Sequence, residues 1–319
     1  MKGKYLYAVL KKDGDQNLSL DGLTTIAYQG LAAVVEEKEV KDYHQLPKEE
    51  TIRELISHQQ IIEKIMEQSP VLPVKFGTIL KDEEVKSALE KGYFFLCNTL
   101  RKIEDKIEFD LVCFWNEQKA AQMAFQESKK VKNFYKKITS EGKTEGVEEK
   151  IALGKLVAQY LGTKRKKLRD QILKILKKEA VESCSHALAD VNMLLNQAFL
   201  VEKKRQEVFN HTLNILDSKF ADLTNFRLVG PLPPYSFATL VIESLDEEDI
   251  QEARETLKLN GQLSMEKLKQ TYDKLAMELH PDKGGNPLEF ELVTSAYKLL
   301  RNFIENGLVA VSLFKWEER

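Results

Sequence analysis

The sequence predicts an α+β protein: two α+β domains joined by a helical region, with a small all-α helical hairpin near the C-terminus. Three observations carry this. Short β-branched and aromatic runs alternate with helical stripes through the first 120 residues. A second strand–helix–strand pattern begins near residue 196. Further on, two stripes of helical period flank a Pro- and Gly-rich turn, His280 to Gly285. These patterns set the domain limits at 1–120, then 121–249 completed by a strand in 306–319, with 250–305 as an insertion between them.

Tyr5 to Leu10 is a short apolar strand, and Leu31 to Val40 is a second, preceded by the turn-prone Asp21-Gly22 and by Gly30. Thr51 is placed to cap a helix reaching about Gln68, with Ile52, Leu55, Ile56, Gln59, Ile62 and Met66 on its apolar side. Ser69-Pro70 ends it. Val71 to Leu80 is the next strand, and Asp82 caps a helix burying Val85, Leu89 and Leu96. Ile107 to Trp115, rich in β-branched and aromatic residues, reads as a buried strand. Strands and helices of this order predict helices on one face of a mostly antiparallel sheet. From Glu117 to Ala189 the chain reads as helical, broken at Ser140 to Gly146. Asn196 to Glu202 is a strand, Lys203 to Lys219 a helix, and Phe226 to Val229 and Ala238 to Ile242 are strands. The last run, Gly307 to Trp316, is strand-like and is expected to complete the second sheet.

Composition narrows the class. The chain has 319 residues, 43% hydrophobic and 31% charged, with a net charge of −2, so no global charge draws it to nucleic acid or acidic lipid. Charge is uneven: Lys129 to Lys178 holds sixteen Lys and Arg against five Asp and Glu. A solvated helix face is the first reading of that stretch, and a docking surface for an acidic protein is the second. Nucleic acid has little support, because no aromatic interleaving or groove-binding motif accompanies the basic run. Cys97, Cys113 and Cys184 are odd in number and far apart, which fits a reducing cytosol. No apolar run approaches the roughly 18 residues of a membrane span.

One connection is unusual. Gly230 to Phe237, GPLPPYSF, sets three prolines and a glycine against Tyr235, Ser236 and Phe237. Pro231, Pro233 and Pro234 fix φ and push their predecessors to extended backbone, so the segment is stiff and presents its aromatics at a fixed angle. With Val71 to Leu80 (VLPVKFGTIL) and Ile107 to Asn116 (IEFDLVCFWN), it resembles the GvpF/GvpL family of gas vesicle proteins over about Lys4 to Ser244. Leu232 stands where that family usually shows Trp. The resemblance implies ferredoxin-like α+β domains and a gas vesicle assembly factor or minor vesicle component in the cytoplasm. It also implies a partner, the small apolar shell protein, whose aggregation it would limit. The segment 230–237 is then either a structural motif or a contact for that partner.

The helical hairpin carries a second resemblance. A helix capped by Ser264 places Leu268, Tyr272, Leu275 and Leu279 in a stripe, and the next places Phe290, Val293, Tyr297, Leu300 and Ile304. A short helix, Ile250 to Leu259, precedes them. Between the stripes lies His280-Pro281-Asp282. With Tyr272, Leu275 and Ala276 before it and Phe290, Ala296 and Tyr297 after it, the arrangement resembles a J-domain. That implies a DnaK-type chaperone as partner, met by His280, Pro281, Asp282 and the cationic Lys267 and Lys274. Charges on the preceding helix cancel, since Glu266, Asp273 and Glu278 offset Lys267, Lys269 and Lys274, so stimulation is expected to be weak. A docking module without chaperone stimulation is the alternative for the hairpin. A general co-chaperone binding varied clients is the alternative for the whole chain.

Catalytic signatures are missing. Of the five histidines, His44, His58, His186, His211 and His280, His58 reads as lying on the polar flank of its helix with no second His or Cys at a ligand spacing from it, hence as structural. Walker A, Gly-x-Ser-x-Gly and His-Glu-x-x-His patterns do not occur. Glu36-Glu37 and Glu49-Glu50 sit at expected solvent positions. No enzyme, cofactor or metal is expected.

Overall fold

The computed structural model describes residues 2–12, 22–41, 43, 46–144, 146–245 and 247–314. Asp21, His44 and the 315–319 end of the last expected strand lie outside these residues. The chain divides into two units, 1–104 with 238–314, and 105–237.

The first unit opens with β1 (Lys2–Lys11), β2 (Thr24–Tyr28), β3 (Leu31–Glu39), α1 (Lys48–Gln68), β4 (Val71–Pro73), β5 (Ile79–Leu80), α2 (Asp82–Lys91) and α3 (Tyr93–Ile103). Its antiparallel sheet runs β2-β3-β1-β4, with β5 also on β1. Six successive residues of β1, Tyr5 to Leu10, are buried. A strand buried without alternation is covered on both faces. Leu6, Val9 and Val35 meet Val85, Leu89, Leu96 and Leu100 of α2 and α3. On the other side Tyr5 and Tyr7 meet His58 of α1. The expectation of helices on a single face therefore fails here.

α1 also turns a different side inward. His58, Ile62 and Ile65 are buried, whereas Ile52, Leu55 and Ile56 are exposed. The expected stripe and the observed one share Ile62, and the polar partners of His58 select between them. Nor does Thr51 cap the helix: α1 starts at Lys48, and the Thr51 hydroxyl donates to the Pro47 carbonyl at 3.2 Å.

The second unit contains β6 (Lys106–Trp115), α4 (Glu117–Glu127), α5 (Lys129–Ser140), α6 (Val147–Leu176), β7 (Glu182–Ser185), β8 (Met193–Glu202), α7 (Gln206–Phe220) and β9 (Thr224–Leu232). Its sheet is antiparallel in the order β7-β8-β6-β9. This is two interlocked split βαβ units, the ferredoxin-like arrangement. β6 alternates: Ile107, Phe109, Leu111, Cys113 and Trp115 pack with Leu168, Ile172 and Leu176 of α6 and Phe209, Leu213 and Leu216 of α7. Glu108, Asp110 and Val112 therefore face the side away from these helices.

The first unit resumes with β10 (Thr239–Ser244), α8 (Glu247–Thr256), α9 (Met265–Leu279), α10 (Pro287–Asn306) and β11 (Val309–Phe314). β10 and β11 form an antiparallel ladder from Thr239↔Phe314 to Ser244↔Val309. A parallel bridge, Val74↔Leu240, and the Lys75 N–H to Leu240 carbonyl bond at 2.8 Å join that ladder to β4. The C-terminal strand thus adjoins the first sheet, which corrects the expectation that it completes the second. The reason is apolar cover: Leu240, Ile242 and Val309 share a core with Leu72, Val74, Val85 and Leu89. The three helices leave and rejoin this ladder at one end, where Leu245 N–H reaches the Leu308 carbonyl at 2.8 Å. Their own core comprises Ile250, Ala253, Leu257, Leu268, Val293, Ala296 and Leu300.

Candidate functional site

Two motif segments are pinned, each by a buried titratable side chain on a neighbouring element. The first is Gly230 to Phe237. Where β9 passes Phe109 an extra residue enters the register, between Val229↔Asp110 and Leu232↔Glu108. Such a bulge bends the strand and re-aims the residues beyond it. Gly230 sits there at φ +141°, where an added Cβ would stand 2.6 Å from the Phe109 ring and 2.8 Å from the Glu108 carbonyl oxygen. Only glycine combines that backbone with so close an approach. Beyond the bulge Pro233, Pro234, Ser236 and Phe237 are buried, Tyr235 is half-buried, and Gly230 and Pro231 are exposed. The Phe237 ring is seated on Cys184, Ala198 and Leu200.

The anchor is Glu108, 1% exposed. Ser236 donates its backbone N–H to Oε2 at 2.8 Å and its hydroxyl to Oε1 at 2.6 Å. Burial pushes the Glu108 carboxyl up to about 8, against the pull of Ser236, and the neighbouring Asp110 charge adds to the rise. Asp110 is itself raised, chiefly by burial. His186 Nε2 lies 3.2 Å from the Ser236 hydroxyl and 3.9 Å from Asp110 Oδ1. This Ser–His–Asp trio is not a nucleophile relay. A relay needs the two ring nitrogens to serve different partners, whereas here one nitrogen faces both. Ser236 is moreover 4% exposed and tied to Glu108.

The second segment is Val71 to Leu80. Gly77 N–H donates to the Tyr5 hydroxyl at 3.3 Å, and that hydroxyl lies 2.9 Å from His58 Nδ1. His58 Nε2 lies 3.1 Å from the Val74 carbonyl. The consistent assignment is a neutral ring that accepts at Nδ1 and donates at Nε2. Burial lowers the His58 pKa to about 4. His58 is thus an interior hydrogen-bonding residue, not one on the polar flank of α1, and the described residues contain no cluster able to hold a metal ion.

A third segment lies between α9 and α10. Tyr272 and Tyr297 stack with centroids 4.2 Å apart, closing the helix pair. The His280 ring meets Phe290 edge-on at 5.2 Å and its Nδ1 accepts from Asp282 N–H at 3.2 Å. Gly284 takes φ +85°, and Gly285 lies so close to the Leu279 carbonyl that a Cβ would stand 2.2 Å from it. Pro281 and Asp282 are exposed, as are Lys267 and Lys274 on α9. Ser264 caps α9 by accepting from Lys267 N–H at 3.3 Å.

Two stretches of the chain match known families. Residues 3–239 match the family described as gas vesicle synthesis protein GvpL/GvpF. The chain belongs to the GvpL/GvpF family. Residues 252–303 of this GvpL/GvpF protein match the DnaJ domain. Gas vesicle protein F of a Nostoc species is 25% identical over 247 residues, 75% of this chain and 98% of that protein. Gas vesicle protein F of Haloferax mediterranei is 21% identical over 248 residues, covering 75% and 94%. Among solved structures, the gas vesicle protein GvpF of an Anabaena species superposes with a TM-score of 0.62 at 22% identity, covering 74% of this chain and 98% of that one. GvpF of Microcystis aeruginosa gives 0.56 at 22% identity, covering 74% and 99%. The GvpL/GvpF match ends before α8, so the DnaJ-like helices are an addition to the family's fold.

The sequence points to Ser236 and, in the separate helical pair, to His280, but not to Glu108, Asp110 and His186. The signal was present: a Glu and an Asp two residues apart in the otherwise apolar IEFDLVCFW place two carboxyls on one face of a buried strand.

Proposed function

We propose that this GvpL/GvpF protein is a gas vesicle assembly factor or minor vesicle component that binds the hydrophobic shell protein and limits its aggregation before polymerisation. Its DnaJ-like module recruits a DnaK-type ATPase to that client. The observation that carries this reading is the union in one chain of the GvpL/GvpF fold with a helical pair that exposes Pro281 and Asp282 beside His280. An apolar monomer must be covered until it polymerises, which is a holding task, and a J-type module adds energy-driven release. The site of action is the cytoplasm, at the growing vesicle. Among the described residues no helix is long and apolar enough to cross a membrane.

Capture of the shell protein tests the reading. Full-length protein and a variant with residues 246–307 replaced by a short Gly/Ser turn should both retain the shell protein and keep it from sedimenting. Only the full-length protein should stimulate the chaperone ATPase. Failure of both proteins to retain the shell protein would refute the holding role, and loss of capture with the deletion alone would move the client site to the module.

A further inference from the structure

The face of the second sheet opposite α6 and α7 combines a buried carboxyl, Glu108, and a partly exposed one, Asp110, with a stiff covering segment. Glu108 and Asp110 are adjacent on that face, and Ser236 closes over Glu108. His186, after β7, is the other titratable group in direct reach. The register places Glu182 of β7 opposite Leu200, and Arg227 of β9 opposite Val112, on the same face, and both are exposed. Asp110 Oδ1 is buried without a hydrogen-bond partner among the described residues. No Lys or Arg among them forms an ion pair with Glu108 or Asp110, so a second full negative charge there is poorly offset.

We propose that Pro233 to Phe237 is a proton-operated latch, closed while Glu108 carries a proton and loosened when Glu108 and Asp110 are both charged, so that the apolar seat of Phe237 opens. In the closed state a neutral Glu108 keeps both of its contacts. Ser236 N–H still donates to Oε2, and the 2.6 Å contact reverses, Glu108 O–H donating to the Ser236 hydroxyl, which then donates to His186 Nε2 at 3.2 Å. Ionisation turns the Ser236 hydroxyl back to donate to Glu108 Oε1, which ends its donation to His186, and leaves a carboxylate out of water at Glu108 beside that of Asp110.

Linkage sets the sign. The closed state binds one proton more than the open one between the ordinary Glu range, about 4.3, and about 8. Opening therefore grows as pH rises through that window, by at most about tenfold per pH unit, and levels off above it. Hydrogen exchange at the Ser236 amide of the full-length protein, corrected for the intrinsic rate at each pH, measures opening. Protection of the parent should fall by more than about tenfold from pH 6 to pH 8, and that of Glu108→Gln should stay flat. Protection of Cys184, beneath Phe237, against a thiol reagent should follow the same course once scaled to the unfolded chain. Asp110→Asn, which leaves burial but removes the second charge, should show a smaller fall than the parent. A flat profile in the parent, a fall in Glu108→Gln equal to the parent's, or a fall abolished by His186→Gln alone would each overturn the latch.

Discussion

Ser236 holds Glu108 by both of its donors, the backbone N–H at 2.8 Å to Oε2 and the hydroxyl at 2.6 Å to Oε1. A motif that reads in sequence as proline-stiffened backbone is therefore fastened by a polar contact. Its partner lies 128 residues earlier in the chain.

Removing the hydroxyl should loosen the segment. Ser236→Ala leaves one oxygen of a buried carboxyl unpaired, which costs about 1–3 kcal/mol. Urea unfolding at constant pH should show a lower midpoint with an unchanged slope. A midpoint equal to the parent's would mean that the backbone bond alone holds the segment.

The aromatics of the motif should differ in weight. Phe237, 4% exposed on its seat of Cys184, Ala198 and Leu200, should cost about 3–5 kcal/mol on replacement by Ala. Tyr235, half-buried, should cost less. Thermal unfolding decides this. If Phe237→Ala melts with the parent but loses the shell protein, the ring is a binding contact and not a core residue.

His58 should give the first unit an acid-sensitive step. Its folded pKa, about 4, lies below its unfolded value of 6.5, so the unfolded chain binds more protons between them. The stabilisation is complete above 6.5 and is lost as pH falls toward 4, at most about 3 kcal/mol in all. The slope of stability against pH in this window should shrink in His58→Gln. An unchanged slope would assign it to other groups.

The His-Pro-Asp loop should be functionally separable from its scaffold. The module core, with Leu268, Val293 and Leu300, does not include His280. His280→Gln should abolish stimulation of the DnaK-type ATPase while circular dichroism stays unchanged. Asp273→Arg with Glu278→Lys should raise the association rate, most at low salt. Single-turnover ATP hydrolysis is the readout, and no response from the parent or the charge-reversed variant would leave the loop idle.

Features that depend on local chemistry are legible in the sequence. The strand runs of β1, β6 and β8, the Ser264 cap and the helical stripes of α9 and α10 all arise from spacing and side-chain type. Features that depend on partners distant in sequence are not. The inward side of α1 is chosen by Tyr5 and Val74, which bond His58 and outweigh the apolar stripe of Ile52, Leu55 and Ile56. β2 and β7 escape detection because edge strands of four or five residues bury too little to impose a pattern. β11 is assigned to the wrong sheet by its sequence because pairing with β10 fixes a neighbour without fixing the core beneath both.

The ladder end at Ser244↔Val309 has a thermodynamic consequence. While α8 to α10 are folded, they act as a rigid staple that keeps the ends of β10 and β11 side by side. Melted, residues 245–308 become a long floppy tether, and closing it costs entropy that grows with the logarithm of its length. Whatever ligand stabilises the helices therefore tightens the edge of the first sheet as well. Occupancy of the module is thus felt in the neighbouring sheet through chain entropy, without any surface of the ligand having to reach it.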